Sequence, residues 1–424
     1  MVIASIDIQG GAVVQLRRGA ELVLERDDGE ALAFEFDRYG EVAVIDLDAA
    51  MGSGSNLDMI KPLLRIAECR VGGGIKSAGQ AAELVSLGAT KIIVGSAAFR
   101  TESGFAVNDA FLDALVKAVG RECLVVAVDA RGGEIVVDGW KTPTGLKLIE
   151  TARLVEKYAG ELLYTSVEKE GMMGGADIAA IRELRAAVSC LVTVAGGVST
   201  VDEIAEIAAQ GCDVQLGMAL YTGKIALADA FVASLNWGKA SDGLLPLIAQ
   251  SSDGQVLMTG FTDKEALSET FGRGNVCFHS RTRGSLWMKG ESSGNTLELL
   301  RLRADCDRDA LLAVVEPHGP ACHTGAWSCF ATRQRYTLQH LQRIIDQRLR
   351  DAPAGSYTAS LTDERVRRKV MEEAYEVCTA RTHEEFVWEA ADLFYHTAVL
   401  LSRENVHVDE VLDELDRRHK TPAC

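Results

Sequence analysis

SIDIQGG (residues 5–11) returns as AVDARGG (residues 127–133), with Asp7 and Asp129 122 positions apart. GGGIKS (72–77) returns as AGGVST (195–200), with Gly73 and Gly196 123 apart, and GSAAF (95–99) returns as GMALY (217–221), with Gly95 and Gly217 122 apart. Three landmarks at nearly one offset mark an internal duplication. Around them run the apolar segments VIASIDI, VAVIDLD, CRVGGGI, KIIVGSA, LVVAVDA, LLYTSV, LVTVAGGV and DVQLGMA. Each precedes a helix-like stretch such as SAGQAAELVSLG or TVDEIAEIAAQG. Eight such units in about 235 residues predict a TIM (β/α)8 barrel built from two half-barrels.

The repeated glycines follow strands, at the barrel end where backbone amides and short helix N-termini hold phosphate. Gly73, Gly74, Gly95 and Ser96 form one expected phosphate site, and Gly196, Gly197 and Gly217 form its mate. Two such sites across one mouth suit a long substrate with a phosphate at each end. Asp7 and Asp129 end the first and fifth strands and are expected to face each other there. All eight histidines lie at or after His279, so acid–base work in the barrel falls to carboxylates. A single Asp ending a strand as often caps a turn; two related by the repeat make that reading weaker.

Composition bounds the rest. A chain of 424 residues predicts roughly three domains. Its 47% hydrophobic content and seven prolines indicate folded material. The net charge of −17 argues against nucleic acid or an anionic membrane as partner, since both need a basic surface. The opening residues show no basic region and cleavage site, and no apolar run is long enough to span a bilayer. Ten scattered cysteines read as reduced thiols, so a cytoplasmic protein is expected. No role is evident for Cys424.

The stretch from Trp287 to Phe330 holds Asp305-Cys306-Asp307-Arg308-Asp309, then Cys322-His323-Thr324 and Cys329. Three thiols with a histidine beside one make a zinc site with an open position. Asp305, Asp307 and Asp309 alternate at the spacing of one strand face and suit a hard cation such as Mg2+. As isolated residues, buried cysteines and solvated aspartates in a turn are the commoner condition. Before this stretch, residues 236–243 are small, polar and aperiodic, a linker.

From Leu338 the chain reads as helices. Lys369, Glu372, Glu373 and Glu376 share one helical face; Glu389, Asp392 and His396 line up on the next helix. A brief connection, Ala380 to Glu384, makes the two antiparallel, so their carboxylates meet and suit Mg2+. A solvated charged face is the bland alternative.

Resemblances sharpen these readings. SIDIQGG, VIDLDAAMGSGSN, GGGIKS, AVDARGGEIVVDGW and VAGGVST resemble the ProFAR isomerase family, over Met1 to about Leu235. That likeness implies an Amadori rearrangement of a bis-phosphorylated substrate, with Asp7 as base or acid, Asp129 as its partner and Thr165 as a supporting donor. Glu170-Gly171-Met172 stands where the family usually has Asp-Gly-Thr, Met218 where a basic residue often follows the glycine, and Lys76 where Arg is common. WMKGESSGN, RADCDRDALL and GPACHTGAWSCF resemble phosphoribosyl-AMP cyclohydrolase, over Asp242 to Thr332. This implies zinc on Cys306, Cys322 and Cys329, magnesium at Asp305, Asp307 and Asp309, His323 near the zinc-bound water, and a homodimer, because the family builds its zinc site between subunits. EExxE with ExxD, preceded by AGSYTASL, resembles phosphoribosyl-ATP pyrophosphatase, over Leu338 to Arg418. This implies Mg2+ on Glu372, Glu373, Glu376, Glu389 and Asp392, and Gly355, Ser356, Tyr357, Thr358 and Lys369 near the phosphates of a bound nucleotide.

The expectation is therefore a multidomain chain: a TIM barrel (1–236), a small α+β metal-binding domain (242–332) and an all-α domain (338–424). It would carry three consecutive steps of histidine biosynthesis on small-molecule substrates, using Zn2+ and Mg2+ and pairing as a homodimer through the second and third domains. The alternative is a bifunctional cyclohydrolase/pyrophosphatase whose barrel is structural or binds a regulatory ligand.

Overall fold

The structure, a computed structural model, describes residues 1–17, 19 and 21–420; Cys424 lies outside the described residues. The chain divides into two compact units, residues 1–250 with 256–325, and residues 251–255 with 326–424.

The first unit opens with a closed parallel barrel. Its strands are β1 (Val2–Gln9), β2 (Val42–Asp46), β3 (Cys69–Gly72), β4 (Lys91–Val94), β5 (Leu124–Ala127), β6 (Glu161–Thr165), β7 (Leu191–Ala195) and β8 (Asp213–Leu216). They neighbour one another in order, and β1 closes on β8 with Val2 opposite Val214. The strands are continuous apolar runs because helices cover one face and the barrel interior the other. An antiparallel hairpin, Ala12–Arg17 with Glu21–Arg26, extends β1. Helix starts are written locally: Thr200 accepts from the amide of Glu203, whose side chain returns the bond in a capping box.

Most of the core lies between strands and helices, with Ile6, Leu63, Leu112 and Ile204 fully buried. A smaller cluster of Ile93, Val125, Ala127, Leu163 and Ala195 fills the interior. Toward the N-terminal ends of the strands the filling changes to charge. Arg70, 1% exposed, pairs with Glu161 and Glu41, and Lys91 Nζ lies 3.0 Å from Glu161 and 3.1 Å from Glu41. The Thr193 hydroxyl donates to Glu161.

The same unit continues into a six-stranded sheet of β9 (Leu245–Ser251), β10 (Val256–Thr262), β11 (Cys277–Ser280), β12 (Ser285–Met288), β13 (Leu297–Ala304) and β14 (Leu311–Pro317), in the order β12-β11-β10-β9-β14-β13. With the helix Lys264–Arg273 it makes a small β-rich module. The alternating burial of LPLIAQS is that of a half-covered strand. This module seats on the N-terminal end of the barrel. Phe271 meets Tyr39 at 4.6 Å and Phe231 at 5.6 Å between ring centroids. Arg303 reaches Asp37 at 3.0 Å and Glu68 at 3.2 Å, Arg301 also pairs with Asp37, and the amide of Leu302 donates to Arg38 O at 2.8 Å.

Within the segment 236–243 expected as a linker, Trp237–Lys239 forms a 3-10 turn, and the Trp237 ring N–H donates to Val232 O at 2.8 Å. The indole anchors the segment to the last barrel helix, so it is folded structure.

The second unit is helical: Leu338–Asp351, the short Tyr357–Ser360, Asp363–Thr379, His383–Arg403 and Val408–Lys420. Leu341, Ile345, Leu361, Val366, Ala398 and Val399 form its core. A capping box of Thr382 and Glu385 starts the helix His383–Arg403, which shortens the expected connection from residues 380–384 to 380–382. Among the described residues, no helix is long and apolar enough to cross a membrane.

Candidate active sites

The barrel mouth encloses a cavity of about 290 Å³ at the C-terminal strand ends, lined by Asp7, Asp129 and Thr165 together with Gly73, Gly74, Gly95, Ser96, Gly196, Gly197 and Gly217. The duplication persists in the backbone. Gly73 and Gly74 have φ of +104° and +66°, and Gly196 and Gly197 have +90° and +84°. A Cβ on Gly73 would lie 2.1 Å from Asp46 O, so only glycine fits. Gly95 (φ −115°, ψ −102°) and Gly217 (φ −121°, ψ −96°) share one unusual conformation, each opening a single helical turn.

Ser5 Oγ donates to Asp7 at 2.7 Å, and burial pushes the Asp7 carboxyl up to about 6. Trp140 Nε1 donates to Asp129 at 2.8 Å; burial raises this carboxyl too, against the opposing bonds from Trp140 and Thr165. A third acid joins them. Glu170 lines the same cavity, and burial, then the charges of Asp7 and Asp129, raise it to about 7. In the sequence Glu170 figures only as a departure from a motif, and Trp140 only as the end of AVDARGGEIVVDGW, with no role attached.

In the β-rich module, the oxygens of Asp305, Asp307 and Asp309 lie within 4.8 Å of one another. Their arrangement corrects the strand-face expectation. β13 ends at Ala304 and β14 begins at Leu311, so the acids sit in the connecting turn. Arg308 takes φ +63° there, while Asp305 Oδ1 accepts from the amides of Asp309 (3.0 Å) and Ala310 (3.1 Å). The ammonium of Lys239 pairs with Asp307 and, at 3.3 Å, with Asp309. Cys322 Sγ lies 3.1 Å from Thr324 Oγ1 and 3.9 Å from His323 Nδ1. Cys306 and Cys322 belong to the first compact unit and Cys329 to the second. Among the described residues, close groups of three or more ligand atoms contain carboxylates only.

In the helical unit, Glu372, Glu373 and Glu376 form one such group, and Glu373, Glu389 and Asp392 another. Glu373, 4% exposed, is shared by both. Lys369 Nζ lies 2.8 Å from Glu372 and 3.2 Å from Glu373, and these bonds raise the lysine's pKa. Desolvation, then the neighbouring Glu373 and Glu389, raise that of Glu376. His396 Nδ1 is 3.7 Å from Glu373, and its Nε2 is 3.2 Å from Tyr357 OH, which ties the Ser356–Thr358 turn to the acids. Thr358 Oγ1 lies 2.8 Å from Tyr395 OH.

Comparison with known proteins follows the same three segments. Residues 1–226 match the family described as histidine biosynthesis protein, 258–331 phosphoribosyl-AMP cyclohydrolase, and 338–419 phosphoribosyl-ATP pyrophosphohydrolase. The histidine biosynthesis bifunctional protein HisIE of Bacillus subtilis is 45% identical over 193 residues, covering 42% of this chain and 92% of the relative. The protein of the same name from Xanthomonas campestris is 44% identical over 194 residues (44% and 94%), and that from Pyrococcus furiosus 39% over 207 (45% and 99%). A duplicated barrel and two carboxylate-bearing modules, matched segment by segment in this way, make the chain a member of the histidine biosynthesis protein family, fused to phosphoribosyl-AMP cyclohydrolase and phosphoribosyl-ATP pyrophosphohydrolase domains.

Proposed function

We propose that the chain performs three consecutive steps, divided among modules at 1–236, 242–332 and 338–424. The helical module cleaves phosphoribosyl-ATP to phosphoribosyl-AMP and pyrophosphate, the β-rich module opens the adenine ring to give ProFAR, and the barrel isomerises ProFAR to PRFAR. The observation that carries the barrel assignment is the convergence of Asp7 and Asp129, both shifted upward, on one cavity ringed by two matched sets of glycines.

An Amadori rearrangement needs a proton delivered to the sugar ring oxygen, which breaks its bond to the anomeric carbon, and another taken from the carbon next to the anomeric one. Carboxyls lifted toward neutrality suit both tasks. Trp140 orients Asp129, Ser5 orients Asp7, and Thr165 supports the pair. Gly73, Gly74, Gly95 and Ser96 hold one phosphate, and Gly196, Gly197 and Gly217 the other.

The thiols of Cys306, Cys322 and Cys329 are donors of the kind Zn2+ takes, and Asp305, Asp307 and Asp309 make a group suited to Mg2+. Zinc held by these thiols would supply a water acidified toward neutrality, and His323, beside Cys322, would serve near it. The carboxylates around Glu373 fit Mg2+, whose charge would neutralise nucleotide phosphates; Lys369 lies beside this group and Tyr357 reaches it through His396, with Ser356 and Thr358 on the same turn. Pairing of two chains is supported by apolar side chains left outward on the helices Asp363–Thr379 and His383–Arg403: Met371 is 75% exposed, Tyr375 70% and Trp388 72%. Reduced thiols and the acidic surface fit work in the cytoplasm on dissolved metabolites.

The test supplies purified chain with phosphoribosyl-ATP, Mg2+ and Zn2+ and separates ProFAR from PRFAR by retention. PRFAR that accumulates with the unaltered chain and not with Asp129→Asn supports all three steps. A halt at ProFAR with the unaltered chain removes the isomerase and leaves the barrel a scaffold.

A further inference from the structure

We infer that the barrel and the segment leaving it are positioning elements for the aspartate turn of the ring-opening module. The inference rests on the assignment of ring opening to that module and not on any activity of the barrel. Arg308 sits between Asp307 and Asp309 with φ +63°, and its side chain is turned onto the barrel, where it is only 11% exposed. There Nη2 lies 2.7 Å from Asp213 Oδ1, at the start of β8, and Nη1 donates to Ala208 O at 3.3 Å. The segment after the barrel grips the other side. The amide of Asn236 donates to Arg308 O at 2.9 Å, its side chain donates to Asp307 O at 3.3 Å, and Lys239 pairs with Asp307 and Asp309.

The three acids are therefore held differently. Asp305 is fixed by amides of its own turn, whereas Asp307 and Asp309 are placed from outside. The two outside grips act in opposite senses on a divalent cation. The Arg308 fork onto Asp213 and the Ala208 carbonyl fixes the turn's backbone and so holds the carboxylates convergent, a supporting role that changes metal affinity about 10–100-fold when lost elsewhere. Lys239 is an internal cation on the same oxygens, and an incoming divalent ion must displace it or share with it.

Opposite signs make the test. Mn2+ alone is titrated by calorimetry into full-length chain carrying Glu373→Gln, which weakens the separate carboxylate group of the helical unit. Adding Asp213→Asn is expected to weaken Mn2+ binding about tenfold, and adding Lys239→Met to tighten it severalfold. In chains with Glu373 intact, Asp213→Asn lowers kcat/KM for ring opening and leaves pyrophosphate release unchanged, an internal control in the same molecule. Arg308→Lys, which keeps the charge but loses the two-pronged contact, gives a similar loss and replaces Asp213→Asn should that variant not fold. Unchanged Mn2+ binding in the Asp213 and Arg308 variants overturns the inference, as do shifts of the same sign in the Asp213 and Lys239 variants. Absence of ring opening in the unaltered chain strikes the module assignment instead, so the two failures are distinct.

Discussion

Replacing Glu170 by Gln makes permanent a neutral state that the barrel mouth imposes only in part. Burial and the charges of Asp7 and Asp129 lift this carboxyl from 4.5 to about 7. At pH 6 roughly nine-tenths of molecules then carry the proton, and at pH 8 roughly one-tenth. Once ionised, Glu170 adds a third negative charge to a cavity that, on the proposed function, would admit a doubly phosphorylated anion. If binding requires the protonated form, affinity falls in proportion to that fraction, about tenfold or 1.4 kcal/mol between pH 6 and pH 8. Calorimetric titration of PRFAR into full-length wild-type and Glu170→Gln chains at the two pH values reads this directly. The ligand's phosphates also titrate near pH 6, equally for both proteins, so the comparison removes them. Wild type is expected to lose about ten times more affinity than the variant. Parallel pH slopes would refute the reasoning. Stability carries the matching sign: the folded barrel keeps this proton above the pH at which an unfolded chain releases it. Stability therefore falls as pH climbs from 4.5 to about 7, and Glu170→Gln flattens that fall in urea melts.

Three further outcomes follow from the geometry. Cys322→Ser is expected to abolish stoichiometric zinc and ring opening while sparing pyrophosphate release, read by metal analysis of the dialysed protein and by product separation; ring opening that persists without zinc refutes the thiol assignment. Glu373→Gln, at the carboxyl shared by both acidic groups, should slow pyrophosphate release on the order of a hundredfold and accumulate phosphoribosyl-ATP; near-normal release would show that the acids are only a solvated face. Glu161→Gln should cost the barrel about 3 kcal/mol, because it strands a buried Arg70 with one partner fewer. Burial alone would raise Glu161, but Arg70 and Lys91 outweigh it and hold it at about 2. Its contribution is complete above pH 4.5 and disappears as pH falls toward 2, so calorimetric melts of the variant should lose that part of the acid sensitivity.

What the sequence disclosed depended on whether the information was local. The offset between Asp7 and Asp129 is a property of the string, and it carried both the barrel and the glycine conformations shared by its halves. The helix start at Thr200 was equally legible in TVDEIAEIAAQG, because a cap is written within four residues, whereas the start at Thr382 fell inside the expected connection 380–384. The turn at Asp305–Asp309 was misread because alternate residues can share one side of a tight turn as well as of a strand; only the left-handed Arg308 separates the cases. Glu170 and Lys239 were out of reach for another reason. Glu170 gains its raised pKa first from burial in the assembled cavity and then from acids more than 40 residues away, and Lys239 lay in a stretch whose small polar residues concealed a folded turn. Charged groups that act through distant partners leave no periodic trace.

The salt-bridged layer of Arg70, Glu161, Glu41 and Lys91 also bears on traffic between the modules. It closes the barrel at the end where the β-rich module is docked, while the cavity opens at the other end. On the proposed sequence of steps, ring-opened product released near that base would reach the cavity by travelling round the outside of the barrel, because the ion-paired layer fills the direct line. Tethering would then raise local concentration without enclosing the intermediate, and a competing enzyme added in excess would intercept it.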